Sequence, residues 1–202
     1  MNENCTSISA AKRIILLQHQ TSRYASGYPK MGAALQATGA NITYSCSWPA
    51  YLGGNESTKP FAAMIKAGCN SWRNWVDIQC SYGSMAMIIE HWGFYSSALT
   101  PFAGPGHWHD PDMLLIGNGC LTEAEEQTQM AIWSIVAAPL IMGNDLRHVP
   151  PSSAAILKNP DAIAVDQVHH FPTPLTKAHS SHAPHSYFNV AYLRCPMSPL
   201  SH

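Results

Sequence analysis

The sequence has little charge and no cluster of positive charge. Charged residues make up 11% of the chain, and the formal net charge is −1 at pH 7. Binding to a phosphate backbone needs clustered Lys and Arg side chains that displace its counterions, and no such run is present. We therefore expect no nucleic acid among the partners of this protein.

Long apolar runs are absent near the start of the chain. The longest of them, residues 14–17, is far shorter than the roughly 20 apolar residues that cross a bilayer. The residues before it are polar and include Asn4, Thr6 and Ser7, whereas a signal peptide has a basic start and an apolar core. The sequence predicts no membrane span and no signal peptide within this chain.

Several enzyme signatures are also missing. The six cysteines form no close Cys-x-x-Cys pair of the kind that structural zinc sites use. The segment Gly104-Pro105-Gly106 contains a proline, so it cannot present a row of amides to a phosphate. Ser45 and Ser47 do not lie in the Gly-x-Ser-x-Gly turn of a serine hydrolase. We expect no metal and no cofactor.

Three parts of the chain differ in character. Residues 1–26 show no clear periodicity, and residues 168–202 form a tail rich in His, Ser and Pro. Repeated prolines exclude long helices there, and too few aliphatic side chains are present to offset the entropy of ordering. We predict a disordered tail over residues 168–202, although His-rich tracts also bind metals.

Residues 27–167 alternate between helix and strand patterns. Gly39 ends the first helix pattern, and Thr122 with Glu125 predicts a capping box at the start of the last. Helices are predicted over residues 30–38, 61–67, 81–91 and from 122 through 133, and strands over 41–46, 72–78, 107–116 and 139–142. This α/β pattern predicts a parallel sheet covered by helices, either a (β/α) barrel or an open doubly wound sheet.

Polar and aromatic residues follow the predicted strands, which favours a barrel with its active site at the carboxyl ends of the strands. The segments are Cys46 to Tyr51, Trp72 to Asp77, Trp108 to Met113, and Gly143 to Asp145. Aromatic rings pack against the apolar face of a sugar, while Asp and Arg bind its hydroxyls. This composition indicates a carbohydrate site.

Glycoside cleavage uses two carboxylates, and the candidates are Asp77, Asp110 and Asp112. Asp77 ends a predicted apolar strand near Arg73, where burial would raise its pKa and the arginine would lower it. It suits a general acid, but it equally suits a cap of the following helix. Asp110 and Asp112 are two positions apart, so an extended strand would point both to one face.

A metal site is the alternative interpretation of residues 107–112. His107 and His109, together with Asp110 and Asp112, supply ligand types that bind divalent metals. No further ligand with clear spacing follows them, so we favour the carbohydrate interpretation.

Several motifs resemble those of glycoside hydrolase family 27, the melibiase-type enzymes. They are Tyr28 to Met31, Tyr44 to Tyr51, Cys69 to Asn74, Ala103 to Trp108, Asp110 to Leu114, and Ala137 to Leu140. The resemblance implies a (β/α)₈ TIM barrel, of which residues 27–167 would be strands 5 to 8, the C-terminal half. It also implies retaining hydrolysis of terminal α-linked N-acetylgalactosamine or galactose through a covalent glycosyl-enzyme.

The resemblance assigns roles position by position. Asp77 is similar to the general acid/base, Arg73 to a sugar-contacting arginine, and Asp112 with Met113 to part of the pocket wall. It further implies a disulfide between Cys46 and Cys69.

Ser47, Ala50 and Tyr51 complete the predicted substrate-binding residues. Members with a Glu and a bulky residue at positions 47 and 50 enclose a galactose 2-hydroxyl. Ser47 and Ala50 are small, which leaves room for an N-acetyl group and points to the α-N-acetylgalactosaminidase type.

The sequence also departs from the family. The nucleophile of the family lies in a Lys-x-Asp-Gly-Cys segment, and this sequence contains none. His109 replaces an Asn and Cys80 replaces an Asp beside the predicted acid. The alternative function is therefore an inactive fragment with at most weak sugar binding.

The resemblance implies a lysosomal or secreted glycoprotein that acts on glycolipid or glycoprotein glycans, and a homodimer as the assembly. Asn55 begins an Asn-x-Ser motif in a polar loop and is the candidate glycosylation site.

Overall fold

The computed structural model describes residues 22–167, so the predictions for residues 1–21 and for the tail 168–202 lie outside the described residues. Helix α1 covers residues 22–37. The other helices are α2 (Phe61–Lys66), α3 (Tyr82–Phe94), α4 (Ser96–Leu99), α5 (Glu123–Ile135), α6 (Pro151–Leu157) and α7 (Pro160–Asp166). The strands are β1 (Ser45–Cys46), β2 (Ser71–Arg73) and β3 (Trp108–Asp110), and short 3₁₀ turns cover Pro49–Leu52, Glu56–Thr58 and Thr100–Phe102.

The strands form one parallel sheet in the order β1-β2-β3. Cys46 pairs with Trp72, which pairs in turn with His109. A parallel bridge between Leu114 and Met142 marks where the last predicted strand meets the chain after β3. Because each parallel connection contains a helix, the predicted α/β alternation is confirmed.

The predicted strands were too long, and side-chain contacts explain where they end. After β2, the Asn74 carbonyl accepts a hydrogen bond from Lys59 and the Asn74 amide donates to Glu56. After β3, Asp112 has φ 95°, in the left-handed region that side chains rarely adopt. The hydrogen bonds of Asn74 and the left-handed conformation of Asp112 turn the chain out of the sheet. The strand predicted over residues 139–142 is reduced to the bridge at Met142.

Helix α5 follows its predicted pattern closely. The Thr122 hydroxyl accepts from the Glu125 N–H, and the Glu125 carboxylate accepts from the Thr122 N–H, so the capping box is confirmed. Met130 and Trp133 are buried, at 3% and 1% exposure, against α3 residues Met85 and Ile88. A second apolar cluster surrounds Trp72 and Phe61 beneath the sheet.

Two disulfides connect the described elements. Cys46 at the end of β1 bonds to Cys69 just before β2, the pair that the family resemblance implies. Cys80 bonds to Cys120, a pair that the sequence analysis did not predict. In residues 22–167 no helix is long and apolar enough to cross a membrane.

Candidate active site at the carboxyl edge of the sheet

Arg73 is the centre of the polar residues at this edge. It ends β2 and pairs in register with Asp110 of β3. Its guanidinium Nη2 lies 2.6 Å from Asp112 Oδ2 and 3.1 Å from Asp77 Oδ1, and it also donates to the Val76 carbonyl. Arg73 therefore brings together the two carboxylates that the sequence analysis assigned to the site.

Asp112 accepts hydrogen bonds through its carboxylate and through its backbone carbonyl. Its Oδ2 accepts from the Ile78 N–H at 2.8 Å, and its Oδ1 accepts from the Met113 N–H at 2.7 Å. The Trp133 indole donates to the Asp112 carbonyl at 2.7 Å. Together with the ion pair to Arg73, these bonds stabilise the left-handed conformation of a side chain that is only 5% exposed.

The expectation that Asp110 and Asp112 share one strand face is wrong. The strand ends at Asp110, and Asp110 Oδ1 accepts the Asp112 N–H at 2.8 Å, which turns the chain. Burial raises the pKa of Asp110, whereas the Asp112 N–H and Arg73 lower it. Asp110 shapes the turn, and Asp112 is the carboxylate paired with Arg73.

The burial expected for Asp77 is not found. Its side chain is 85% exposed, because β2 ends at Arg73 and Asp77 lies on the loop beyond the sheet. Asp77 does not cap the next helix either, since the Ser81 hydroxyl accepts the Ser84 N–H at the start of α3. The carboxylate is therefore paired with Arg73 on one side and open on the other.

The predicted specificity residues follow β1 at the same edge. Ser47 comes directly after the strand, and Ala50 and Tyr51 lie in the 3₁₀ turn Pro49–Leu52. Tyr51 is 56% exposed and stacks on Tyr24 of α1, with ring centroids 5.0 Å apart. Cys46 of β1 pairs with Trp72 of β2. Ser47 and Arg73 each come one position later along the chain, so they occupy neighbouring positions at this edge.

Met113 directly follows Asp112, and Asn55 lies on the connection between β1 and α2. Met113 is 44% exposed and packs so close to Gly143 that a β-carbon there would lie 3.2 Å from its sulfur. Asn55 is exposed, and its side-chain oxygen accepts the Ser57 N–H at 3.1 Å in a tight turn. The glycosylation candidate is thus on the surface.

A buried polar network includes Asn74, the residue that directly follows β2. Glu56 accepts hydrogen bonds from Lys59 at 2.6 Å, from His91 at 2.8 Å and from the Asn74 amide at 3.1 Å. The Glu56 and Lys59 side chains are fully buried. The His91 ring stacks on Trp75, with centroids 3.8 Å apart. No sequence motif predicts this network, since Glu56 lies 18 positions from Asn74 and 35 from His91.

His109, which stands where the family has an Asn, also belongs to this network. Its Nε2 donates to the Leu99 carbonyl, and its Nδ1 accepts from Trp72 Nε1 at 2.8 Å and from the Asn74 amide at 3.0 Å. Burial lowers the pKa of His109 to about 4. With both ring nitrogens occupied by protein groups, His109 has no lone pair for the metal that the alternative interpretation placed here.

Residues 22–167 contain no group of three or more His, Cys, Asp or Glu arranged to hold a metal. A cavity of about 810 Å³ lies at the amino ends of the strands, against Ser45, Ser71 and Trp108. It includes none of Arg73, Asp77 and Asp112. The ion pairs of Arg73 with Asp77 and Asp112 therefore lie outside this cavity, at the carboxyl edge of the sheet.

Known proteins are similar to this chain in sequence and in fold. The Melibiase_2 family, described as alpha galactosidase A, matches residues 15–168. The α-N-acetylgalactosaminidase of Mus musculus is 50% identical over 143 residues, which are 71% of this chain and 34% of that protein. Human α-galactosidase A is 46% identical over 143 residues, 71% of this chain and 33% of that protein.

The crystal structure of α-galactosidase I from Mortierella vinacea superposes with a TM-score of 0.60 at 27% identity, covering 73% of this chain and 39% of that one. The chain spans about a third of the length of the curated relatives it matches. Since the family match covers residues 15–168, the resemblance is confirmed, and this chain belongs to the Melibiase_2 family of glycoside hydrolase family 27.

Proposed function

We propose that this chain carries one part of the active site of a retaining glycosidase that removes terminal α-linked N-acetylgalactosamine, or α-linked galactose, from glycans. Asp77 is the general acid/base in this proposal. The observation that supports it best is the arrangement of Arg73 between an open carboxylate, Asp77, and a buried one, Asp112.

The two carboxylates suit different tasks. Asp77 is exposed, so a glycosidic oxygen is able to approach it and take its proton. Asp112 makes charge-assisted bonds to Arg73 and to the Ile78 N–H, so it serves to fix the site and its pocket wall. Arg73 and Met113 are the neighbouring contacts for the sugar ring.

The preference for N-acetylgalactosamine rests on Ser47 and Ala50. Neither side chain fills the space that a Glu and a bulky residue would take, so an acetamido group fits there. The hydroxyl of Ser47 is the hydrogen-bond partner and the Ala50 methyl the contact surface in this proposal, with Tyr51 beside them.

The remaining parts of the site belong to a larger barrel. We infer that β1 to β3 and the bridge at Met142 correspond to strands 5 to 8 of a (β/α)₈ barrel, the half that residues 27–167 were predicted to form. The nucleophile motif Lys-x-Asp-Gly-Cys is not in this sequence. Purified residues 1–202 are thus expected to show no hydrolysis of p-nitrophenyl α-N-acetylgalactosaminide.

The disulfides and the surface position of Asn55 support an oxidising compartment, lysosomal or secreted, and a glycoprotein.

A chimera tests the proposed chemistry directly. Residues 27–167 would replace the matching segment of the mouse α-N-acetylgalactosaminidase, which supplies the rest of that protein. The chimera is expected to hydrolyse α-N-acetylgalactosaminides. Asp77→Asn should lower kcat/KM by about 10²- to 10⁴-fold for an alkyl glycoside, because an alkyl oxygen leaves only when an acid protonates it. A nitrophenyl glycoside needs less protonation and should lose less.

Asp161→Asn is the matched control, since Asp161 is an exposed carboxylate in the first turn of α7. Full activity of the Asp77→Asn chimera on the alkyl glycoside would contradict the proposed role. Turnover by residues 1–202 alone, abolished by Asp77→Asn, would contradict the inference that the nucleophile lies elsewhere.

A further inference from the structure

The Cys80–Cys120 disulfide joins two connections at the active-site edge. Cys80 ends the loop between β2 and α3, directly before the cap Ser81. Cys120 lies in the connection between β3 and α5, just before the cap Thr122. The bond spans 40 positions in the sequence and links the segment just before α3 to the segment just before α5.

A second tie joins the same two connections. The Ile78 N–H donates to the Asp112 carboxylate at 2.8 Å, and Asp112 belongs to the connection that holds Cys120. These two ties fix the loop after β2 at position 78 by a hydrogen bond and at position 80 by a covalent bond, in addition to the hydrogen bonds that the Val76 carbonyl accepts from Arg73 and that the Gln79 N–H donates to Ser84. Asp77 is the residue immediately before these two ties.

The position of the Asp77 carboxylate depends on this backbone. Its side chain is 85% exposed and bonded to Arg73, so packing contributes little to holding it. Val76, Gln79 and Cys80 are exposed too, and only Ile78 between them is buried. A loop with so little buried surface opens easily unless it is cross-linked.

The two disulfides differ in burial. Cys46 and Cys69 are 0% and 2% exposed, whereas Cys80 is exposed and Cys120 is half-buried. A thiol reductant therefore reaches Cys80–Cys120 first. We expect helices α3 and α5 to stay packed without it, because Ile88 and Met130 belong to one buried apolar cluster.

We propose that Cys80 and Cys120 are positioning residues for Asp77. Their disulfide holds the backbone that carries this carboxylate, and opening the disulfide loosens Asp77 while the core stays folded. A dithiol supplies the two electrons and two protons, so one disulfide becomes two thiols and the dithiol becomes a disulfide. The catalytic consequence rests on the proposed function of Asp77, whereas the structural tie does not.

The first test uses the full chain and needs no activity. Peptide mapping with stepwise reduction and alkylation should label Cys80 and Cys120 at a lower dithiol concentration than Cys46 and Cys69. Amide hydrogen exchange of the Cys80→Ser/Cys120→Ser variant should be about tenfold faster over residues 76–80. Exchange within α5 should stay unchanged.

The second test uses the chimera described above. Cys80→Ser/Cys120→Ser should lower kcat/KM for the alkyl glycoside on the order of 10- to 100-fold, with a smaller loss of kcat/KM for the nitrophenyl glycoside. Mild reduction of the chimera without substitutions should reproduce this result, which covers the case in which the variant does not fold.

The outcomes separate the two proposals. Unchanged exchange over residues 76–80 in the variant, or cleavage of Cys46–Cys69 first, would overturn the positioning role. An equal loss of kcat/KM on both glycosides would also overturn it, since that pattern indicates general damage to the site. A chimera that is inactive with its disulfides intact argues against the proposed function, and the exchange result still decides the tie.

Discussion

Asp112 and Arg73 form an ion pair of 2.6 Å across neighbouring strand ends, and the aspartate that makes it has φ 95°. A conformation of this kind costs free energy for any residue with a β-carbon. The bonds from Ile78, Met113 and Trp133 to Asp112 offset that cost. The ion pair with Asp112 fixes the Arg73 guanidinium, and this guanidinium in turn pairs with the Asp77 carboxylate.

Asp112→Asn should destabilise the chain by about 2–4 kcal/mol, because it leaves the Arg73 charge without its buried partner. Urea unfolding followed by tryptophan fluorescence measures the change. Asp145→Asn is the control, because Asp145 pairs with Arg147 in solvent and its loss should leave the unfolding midpoint unchanged. Equal midpoints for Asp112→Asn and the unsubstituted chain would contradict the anchoring role.

His109 predicts a particular pH dependence of stability. Its pKa is about 4 in the folded chain, below the usual 6.5, so the unfolded state takes up the proton first as pH falls. Its contribution is complete above pH 6.5 and is lost between pH 6.5 and 4, by about 1.4 kcal/mol per unit.

His109→Asn should therefore reduce the fall in unfolding free energy between pH 7 and 5 by about 2 kcal/mol. Urea titrations at both pH values measure it. Met87→Leu, at an exposed residue of α3 without an ionisable group, is the control and should leave that fall as it is. A pH dependence that is the same with and without His109 would show that this ring is not buried in its neutral form.

The buried pair of Glu56 and Lys59 predicts a non-additive result. Glu56→Gln removes the anion that faces Lys59, and burial already lowers the pKa of Lys59. The single variant should lose about 3–5 kcal/mol of unfolding free energy. Glu56→Gln with Lys59→Met should lose less, since no buried charge remains unpaired. Additive losses in urea unfolding would argue against coupling of the pair.

Ser47 and Ala50 predict a change in specificity. In the chimera, Ser47→Glu with Ala50→Leu should shift the ratio of kcat/KM from α-N-acetylgalactosaminides toward α-galactosides, because the enlarged side chains fill the acetamido space. A ratio change of about 10- to 100-fold is expected. Tyr82→Phe, at an exposed residue of α3, is the control for unrelated surface change. An unchanged ratio would remove the specificity assignment.

Local patterns in the sequence were sufficient for much of the fold. The Thr122 and Glu125 capping box and the apolar spacing of Met130 and Trp133 predicted α5, because both depend on residues within a few positions of each other. Motif order predicted that Arg73, Asp77 and Asp112 lie together, and Arg73 does contact both carboxylates. The lengths of the strands were wrong, since side-chain contacts from distant residues end them.

The sequence by itself determined the helix and strand alternation and the family, because local spacing and ordered motifs carry that information. Only the tertiary structure decided the pairing of Cys80 with Cys120, the left-handed Asp112 and the hydrogen bonds of His109. Cys5 and Cys195 left several pairings open, and Asn74 reaches His109 across 35 positions. Such contacts depend on which distant segments the packed core brings together, and no local pattern encodes that proximity.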